Sequence, residues 1–393
     1  MKRKVLALVL AAAFAVAGLS ACSPPGNPSA GLGNGWLPDH SMSLSYATQF
    51  GVDYYTGGAP SCTQPLLDCE AGEYALITIA DGSRFLVVPD GMTAPAGIGK
   101  DIVVLQRPLN NLYIAATSMM SLFVALDALD SVRFSSIRAD GWYVPAAKAA
   151  MDSGQILFGG SYSSPDYELI MQSSPSLAIE DGMINHTPEV KTTLQSVGIP
   201  VLVAQSSYEP QPLGRTEWIK LVGVLLGKQA LADELFQAQA AQLTALAGQA
   251  NTGKTVAYFY ISSAGYVVTR KSGDYIPRMI QLAGGQYVFS NLGDDTATST
   301  VNLEMEQFYA TAKDADYIVY NATIGGELAS LNDLTALNPL LSDFKAVQNG
   351  NVWCTDQDFY QDMTGLGQMI TDMHEMLTDP AVPDQLTFLH RLR

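Results

Sequence analysis

From about Ile102 to the last residue, short apolar runs alternate with stretches of helical spacing, and this alternation most narrows the folds open to the chain. Strand-like runs fall at residues 112–115, 132–137, 156–158, 177–179 and 201–203, and helical stretches between them include 118–129, 146–152, 165–172 and 187–196. Strand–helix–strand repetition of this kind builds an α/β fold with mainly parallel sheets. Each strand runs into a loop rich in Gly, Ser, Tyr or Asn, and in open α/β sheets ligands sit at those carboxyl ends. Ligand-facing residues are therefore expected at Thr117 and Ser118, Trp142 and Tyr143, Tyr162, Met183 with His186, and Tyr208.

The pattern changes once. Residues 216–246 lack proline, and Leu221, Leu225, Ala232, Leu235, Phe236, Leu243 and Leu246 recur at near-helical spacing, weakened in the middle by Gly223 and Gly227. A long helix or a helix pair is expected there. A second α/β lobe follows, with strands at 255–261, 317–321 and 351–354 and a helix over 274–283 stopped by Gly284 and Gly285. Before all of this, residues 74–80 and 84–89 flank Asp81-Gly82, a hairpin signal that makes 36–100 a small β extension. The expected fold is two α/β lobes, 101–212 and 249–393, joined by a linking helix at 213–248 and preceded by that extension.

The N-terminus reads as an address. Lys2, Arg3 and Lys4 precede an apolar run to Leu19, and Leu19-Ser20-Ala21-Cys22 matches a bacterial lipobox, so residues 1–21 are expected to be removed and Cys22 to carry lipid. As a membrane span the run 5–21 is short and dominated by small alanines. Residues 22–35, rich in Pro, Gly, Ser and Asn, form a flexible leash. The protein is expected on the extracytoplasmic face of the membrane, anchored through Cys22.

A net charge of −17 excludes nucleic acid as an expected partner, because phosphate backbones select basic surfaces. Cys62 and Cys69 could close a small disulfide loop in an oxidising compartment, whereas Cys354 reads as a buried structural thiol. With four histidines scattered singly, no HExxH and no Gly-x-Ser-x-Gly elbow, neither a metal site nor a catalytic constellation is expected, and no cofactor. Arg270 and Lys271, adjacent in a chain with only 21 Lys plus Arg, could neutralise an anionic ligand, with Tyr275 offering an aromatic face.

Several segments recur in one order: Pro108-Leu109-Asn110-Asn111-Leu112-Tyr113, Pro165-Asp166-Tyr167-Glu168-Leu169-Ile170, Gly198-Ile199-Pro200-Val201, Leu225-Leu226-Gly227-Lys228, Gly284-Gly285 and Ala312-Lys313-Asp314-Ala315-Asp316-Tyr317. Together with the lipobox, their order and spacing over residues 105–380 resemble the helical-backbone substrate-binding proteins of ABC importers, which carry iron–siderophore complexes, haem and cobalamin. The β extension departs from that pattern. The resemblance implies a monomeric, non-catalytic binding protein that captures a metal chelate and delivers it to an importer permease with little hinge motion, and the Arg270-Lys271 pair points, among such chelates, to an anionic ferric siderophore. It also implies a docking carboxylate on each lobe, at Glu168 and at Glu306 or its neighbour Glu304, with Glu306 favoured. An extracytoplasmic enzyme or a structural surface lipoprotein are the alternative classes.

Overall fold

The computed structural model describes residues 31–33, 36–56, 72–246, 250–293 and 299–393. Cys22, Cys62 and Cys69 lie outside the described residues.

Five strands open the fold: β1 (His40–Ser41), β2 (Phe50–Tyr55), β3 (Tyr74–Ile79), β4 (Arg84–Val88) and β5 (Ile102–Gln106), paired in chain order. The β3–β4 hairpin turns at Asp81-Gly82, where Gly82 takes a φ of +86° and Asp81 accepts from the amide of Ser83 at 2.9 Å. Strand β5 lies parallel to β4, so this sheet continues past the boundary expected at residue 100 and takes in a run assigned to the first lobe. Side chains alternate across a strand, and here both faces are buried. Phe50, Val52, Ile77, Ile79, Phe85 and Val87 enter the main core, while Tyr55, Tyr74, Leu76, Leu86 and Val88 close a second cluster with Leu32.

The first lobe carries β6 (Leu112–Ile114), β7 (Val132–Ser135), β8 (Leu157–Phe158), a small hairpin of β9 (Gly160–Ser161) and β10 (Ser164–Pro165), then β11 (Ala178–Asp181) and β12 (Val201–Ala204). Its main sheet has the order β12-β11-β6-β7-β8 and is parallel throughout. Helices α1 (Met120–Ala125), α2 (Pro145–Asp152), α3 (Tyr167–Gln172) and α4 (Pro188–Ser196) supply the crossovers. Leu112, Ile114, Ile179 and Leu202 face the main core, and Tyr113, Phe134, Ala178 and Val201 face a separate cluster on the other side. At Gly160, with φ +86°, an added Cβ would stand 2.5 Å from the Asp166 nitrogen and the Ser164 oxygen, so only glycine fits the hairpin.

Three helices follow where a linking helix was expected: α5 (Pro212–Thr216), α6 (Trp218–Leu226) and α7 (Gln229–Leu246). The break between α6 and α7 is at Gly227, left-handed at φ 70°, as expected for a glycine C-cap. Every residue of α6 from Trp218 to Leu225 is buried, which matches a sequence that is apolar all round except for Lys220. After the turn, Lys228 Nζ donates to the carbonyls of Leu126 and Asp127 at 2.7 Å, fastening the link to the end of α1.

The second lobe has a parallel centre of β13 (Thr255–Ile261), β15 (Gln286–Tyr287), β17 (Tyr317–Tyr320) and β18 (Val352–Thr355). Antiparallel strands β14 (Val267–Arg270), β16 (Thr300–Leu303) and β19 (Leu389–Arg391) complete it. Around it pack α8 (Tyr275–Leu282), α9 (Met305–Ala312), α10 (Ala322–Gly325), α11 (Leu331–Leu337), α12 (Lys345–Gln348) and α13 (Leu366–Thr378). Cys354 is a free, buried thiol in β18.

Candidate functional site

The segment after β18 crosses from the second lobe to the first. Gln361 Oε1 accepts from the amides of Tyr143 and Val144 at 2.8 and 3.4 Å, and its Nε2 donates to the Gly141 carbonyl at 2.8 Å. Two residues on, the Met363 amide donates to Ser121 Oγ at 3.0 Å. These bonds hold the loop after β7 against the loop after β18, so carboxyl strand ends of both lobes meet.

Beside this junction lies a recess of about 450 Å³. Tyr143 supplies the first-lobe wall, with its ring 45% exposed, and Glu327, Asp356, Asp358, Gln385 and His390 supply the second-lobe wall. The His390 ring donates from Nδ1 to Asp356 Oδ1 at 2.8 Å, and its Nε2 faces the Leu328 carbonyl at 3.1 Å. With an acceptor at each nitrogen the imidazole is held protonated, its pKa pushed up to about 10 by the Asp356 bond above all. Asp358 is pushed up to about 6 by burial and by the neighbouring charges of Asp356 and Asp362, and its Oδ1 is buried without a partner. The His390–Asp356 pair is neutral overall, so Asp358 and Glu327 leave the recess with an excess of negative charge.

A second polar group lies deeper in the second lobe. Arg270 Nη2 donates to the Tyr360 hydroxyl, which also accepts from Asn321 Nδ2 at 3.2 Å, while Arg270 Nη1 lies 3.5 Å from Asp274 Oδ2. The guanidinium also stands over the rings of Tyr360 and Tyr275, at 5.4 and 5.8 Å. Arg270 is thus spent on internal contacts.

The residues singled out from sequence separate accordingly. Thr117 and Ser118 form a half-buried turn after β6. Met183 and His186 are exposed in the turn after β11, and Tyr208 is exposed with its hydroxyl over Gly182, where a Cβ would come within 2.9 Å. Tyr162 packs partly buried against the outer first-lobe cluster. Trp142 is a core residue, 2% exposed, its Nε1 donating to Ser135 Oγ at 3.1 Å, which removes it from the ligand face. Tyr275 is likewise buried, under the guanidinium of Arg215 at 4.0 Å. Arg270 and Lys271 do not line the recess, and Tyr143 is the one expected residue that does. The acidic wall went unnamed from sequence, although the strand at 351–354 was expected and the strand-end rule points at the loop that follows it.

Glu168 is exposed in the first turn of α3. Glu304 caps α9, its side chain occupied by a capping box with Gln307, while Glu306 is exposed in the first turn of the helix. Among the described residues, no group of three or more His, Cys, Asp or Glu side chains could hold a metal ion.

Two α/β lobes bridged by helices, with strand ends meeting over a recess, define a two-lobed solute-binding protein. Residues 135–359 match the periplasmic binding protein family, more than half of the chain, and the protein belongs to that family. A relative named as an uncharacterized lipoprotein of Methanocaldococcus jannaschii is 26% identical over 364 residues, spanning 88% of this chain and 81% of its own. Among solved structures, a periplasmic haem-binding protein from Pseudomonas aeruginosa matches with a TM-score of 0.57 at 16% identity, over 72% of this chain and 98% of its own. A periplasmic haem-binding protein of Vibrio cholerae matches with a TM-score of 0.54 at 19% identity, over 66% and 97%. A possible iron-binding periplasmic solute-binding protein from Staphylococcus epidermidis matches with a TM-score of 0.53 at 13% identity, over 70% and 100%. At these identities the solved structures bear on the fold alone.

Proposed function

We propose that the protein captures a metal chelate at the recess between its lobes, on the outer face of a membrane to which Cys22 tethers it, and delivers the chelate to the permease of an ABC importer. The observation that carries this reading is the recess itself, formed by Tyr143 of one lobe and the Asp356–His390 wall of the other, at the strand ends where α/β sheets take ligands. Family membership supports the transport role, the lipobox and the lipoprotein relative support the anchor, and the haem- and iron-binding neighbours support the ligand class.

A ferric siderophore remains the leading ligand, with haem and cobalamin as the other candidates, but the wall changes which siderophore fits. The case for an anionic complex rested on Arg270 and Lys271, and neither lines the recess. Uncompensated carboxylates favour a neutral or cationic chelate, such as a ferric hydroxamate, over a polyanionic catecholate. Glu168 and Glu306 are the permease-facing carboxylates, and both are exposed at helix starts as that role requires.

Native mass spectrometry of the chain without its export signal, incubated with ferric hydroxamates, ferric catecholates, haem and cobalamin, tests the reading. One-to-one binding of a chelate is expected, and absence of a complex with all four classes contradicts it.

A further inference from the structure

Glu209 and Glu217 are almost completely buried, at 1% and 0% exposure, and each is saturated by donors from the loop between β1 and β2. Glu217 accepts from the amides of Ser45 at 2.9 and 3.1 Å, Tyr46 at 2.7 Å and Ala47 at 2.8 Å, with Lys220 Nζ 3.1 Å away. Glu209 accepts from the Thr48 amide at 2.9 and 3.0 Å, the Thr48 hydroxyl at 3.0 Å, the Gln49 amide at 3.0 Å and Trp218 Nε1 at 3.1 Å. A buried carboxylate is costly unless it is fully bonded, so loop and carboxylates depend on each other.

The position of these two residues in the chain gives the contact its meaning. They flank α5, the short helix on which the second lobe rests. From α5, Arg215 covers the Tyr275 ring of α8 at 4.0 Å, and Thr216 Oγ1 donates to the Met363 carbonyl at 2.9 Å in the segment that crosses between lobes. The loop also touches α5 directly: a Cβ on Gly214 would stand 2.9 Å from the Tyr46 carbonyl oxygen and 3.2 Å from Glu209 Oε2. Lys220 Nζ donates to the Ser43 carbonyl at 3.0 Å, and Phe50 meets Trp218 edge-on at a centroid distance of 4.9 Å.

We propose that the N-terminal sheet is a brace that sets the seat of the second lobe, with Glu209 and Glu217 as its positioning residues. The loop at 43–49 grips both ends of α5, and α5 in turn holds α8 and the crossing segment at Met363. The cleft is therefore shaped before a ligand arrives. This inference rests on the two-lobed fold and is independent of the ligand's identity.

Hydrogen exchange by mass spectrometry on the intact mature chain tests it, comparing wild type with Glu209→Gln and Glu217→Gln. Each variant keeps the side-chain shape but turns one acceptor into a donor facing amide hydrogens. A brace predicts exchange faster by roughly tenfold at 45–49, at 213–217 and at 360–365 in the second lobe, with the amides of β3 and β4 unchanged. Acceleration confined to 45–49, or none at all, overturns the proposal. Thr48→Ala removes a single hydroxyl bond to Glu209 and serves where a Gln variant fails to fold: the same three segments are expected to quicken by roughly threefold, and a change at 45–49 alone again overturns it.

Discussion

His390 on β19 donates to Asp356, just past β18, at 2.8 Å, and the pair closes one wall of the interlobe recess. The ring is charged there, so the recess gains no free cation from its only histidine and keeps its negative excess.

The first prediction concerns this ring. Its folded pKa of about 10 lies above the ordinary value of 6.5, so its contribution to stability is complete below 6.5 and is lost as the pH rises through 10. Proton-resolved NMR of the His390 ring is expected to show no titration between pH 5 and 8. His390→Gln is expected to lower stability at pH 6 by about 1 kcal/mol, a figure reduced for solvent at the recess mouth. A ring that titrates near 6.5 contradicts the assignment.

A second titration has the opposite chemistry and the same sign. Glu180 in β11 is buried with no partner on either oxygen, and burial, with the charge of Asp181, pushes it up to about 8. The neutral acid suits the fold, so its stabilising contribution is complete below the ordinary carboxyl value of 4.5 and is lost as the pH rises through 8. Glu180→Gln is expected to stabilise the protein at pH 9 by roughly 1–3 kcal/mol and to change little at pH 5. Urea unfolding at the two pH values measures this, and an equal effect at both contradicts it.

Gln361 is the tether between strand-end loops. Gln361→Ala removes its bonds to the Tyr143 and Val144 amides and to the Gly141 carbonyl, and a loss of about 1–2 kcal/mol is expected on thermal unfolding. Weaker capture of the chelate found by mass spectrometry is expected with it. Undiminished capture by a destabilised variant would separate the tether from the binding site.

Much of this fold could be read from residue patterns, for physical reasons that differ by element. Strands β6, β12 and β13 are largely buried runs of apolar residues, β7 and β11 begin on buried apolar residues, and Asp81-Gly82 has the chemistry its turn demands. The linking segment was legible as a long helix or a helix pair, and the pair is what forms: Gly227, read as a weak point, is the cap that turns α6 into α7, while the short α5 before them carried no signal of its own. Strands β14, β16 and β19 are short antiparallel strands whose pairing depends on neighbours elsewhere in the chain, so no local period announces them.

The site was less legible because its residues come together from far apart in the chain. Tyr143, Glu327, Asp356 and His390 share one recess, and only the strand-end rule at β18 hinted at any of the acidic wall. Arg270 resembled a loop cation, yet it ends β14 and its partner Tyr360 is ninety residues away. Trp142 follows a strand closely enough to be a ligand residue, but the Ser135 hydroxyl takes its indole nitrogen and the ring enters the core.

Isothermal titration with a cationic ferric hydroxamate and a polyanionic ferric catecholate, on wild type, Asp358→Asn and Tyr143→Ala, tests the central claim most directly. The account predicts one-to-one binding of the hydroxamate, at least tenfold weaker in both variants, and weaker binding of the catecholate. Hydroxamate affinity unchanged in both variants would contradict the recess as the site, and tighter binding of the catecholate would contradict its charge.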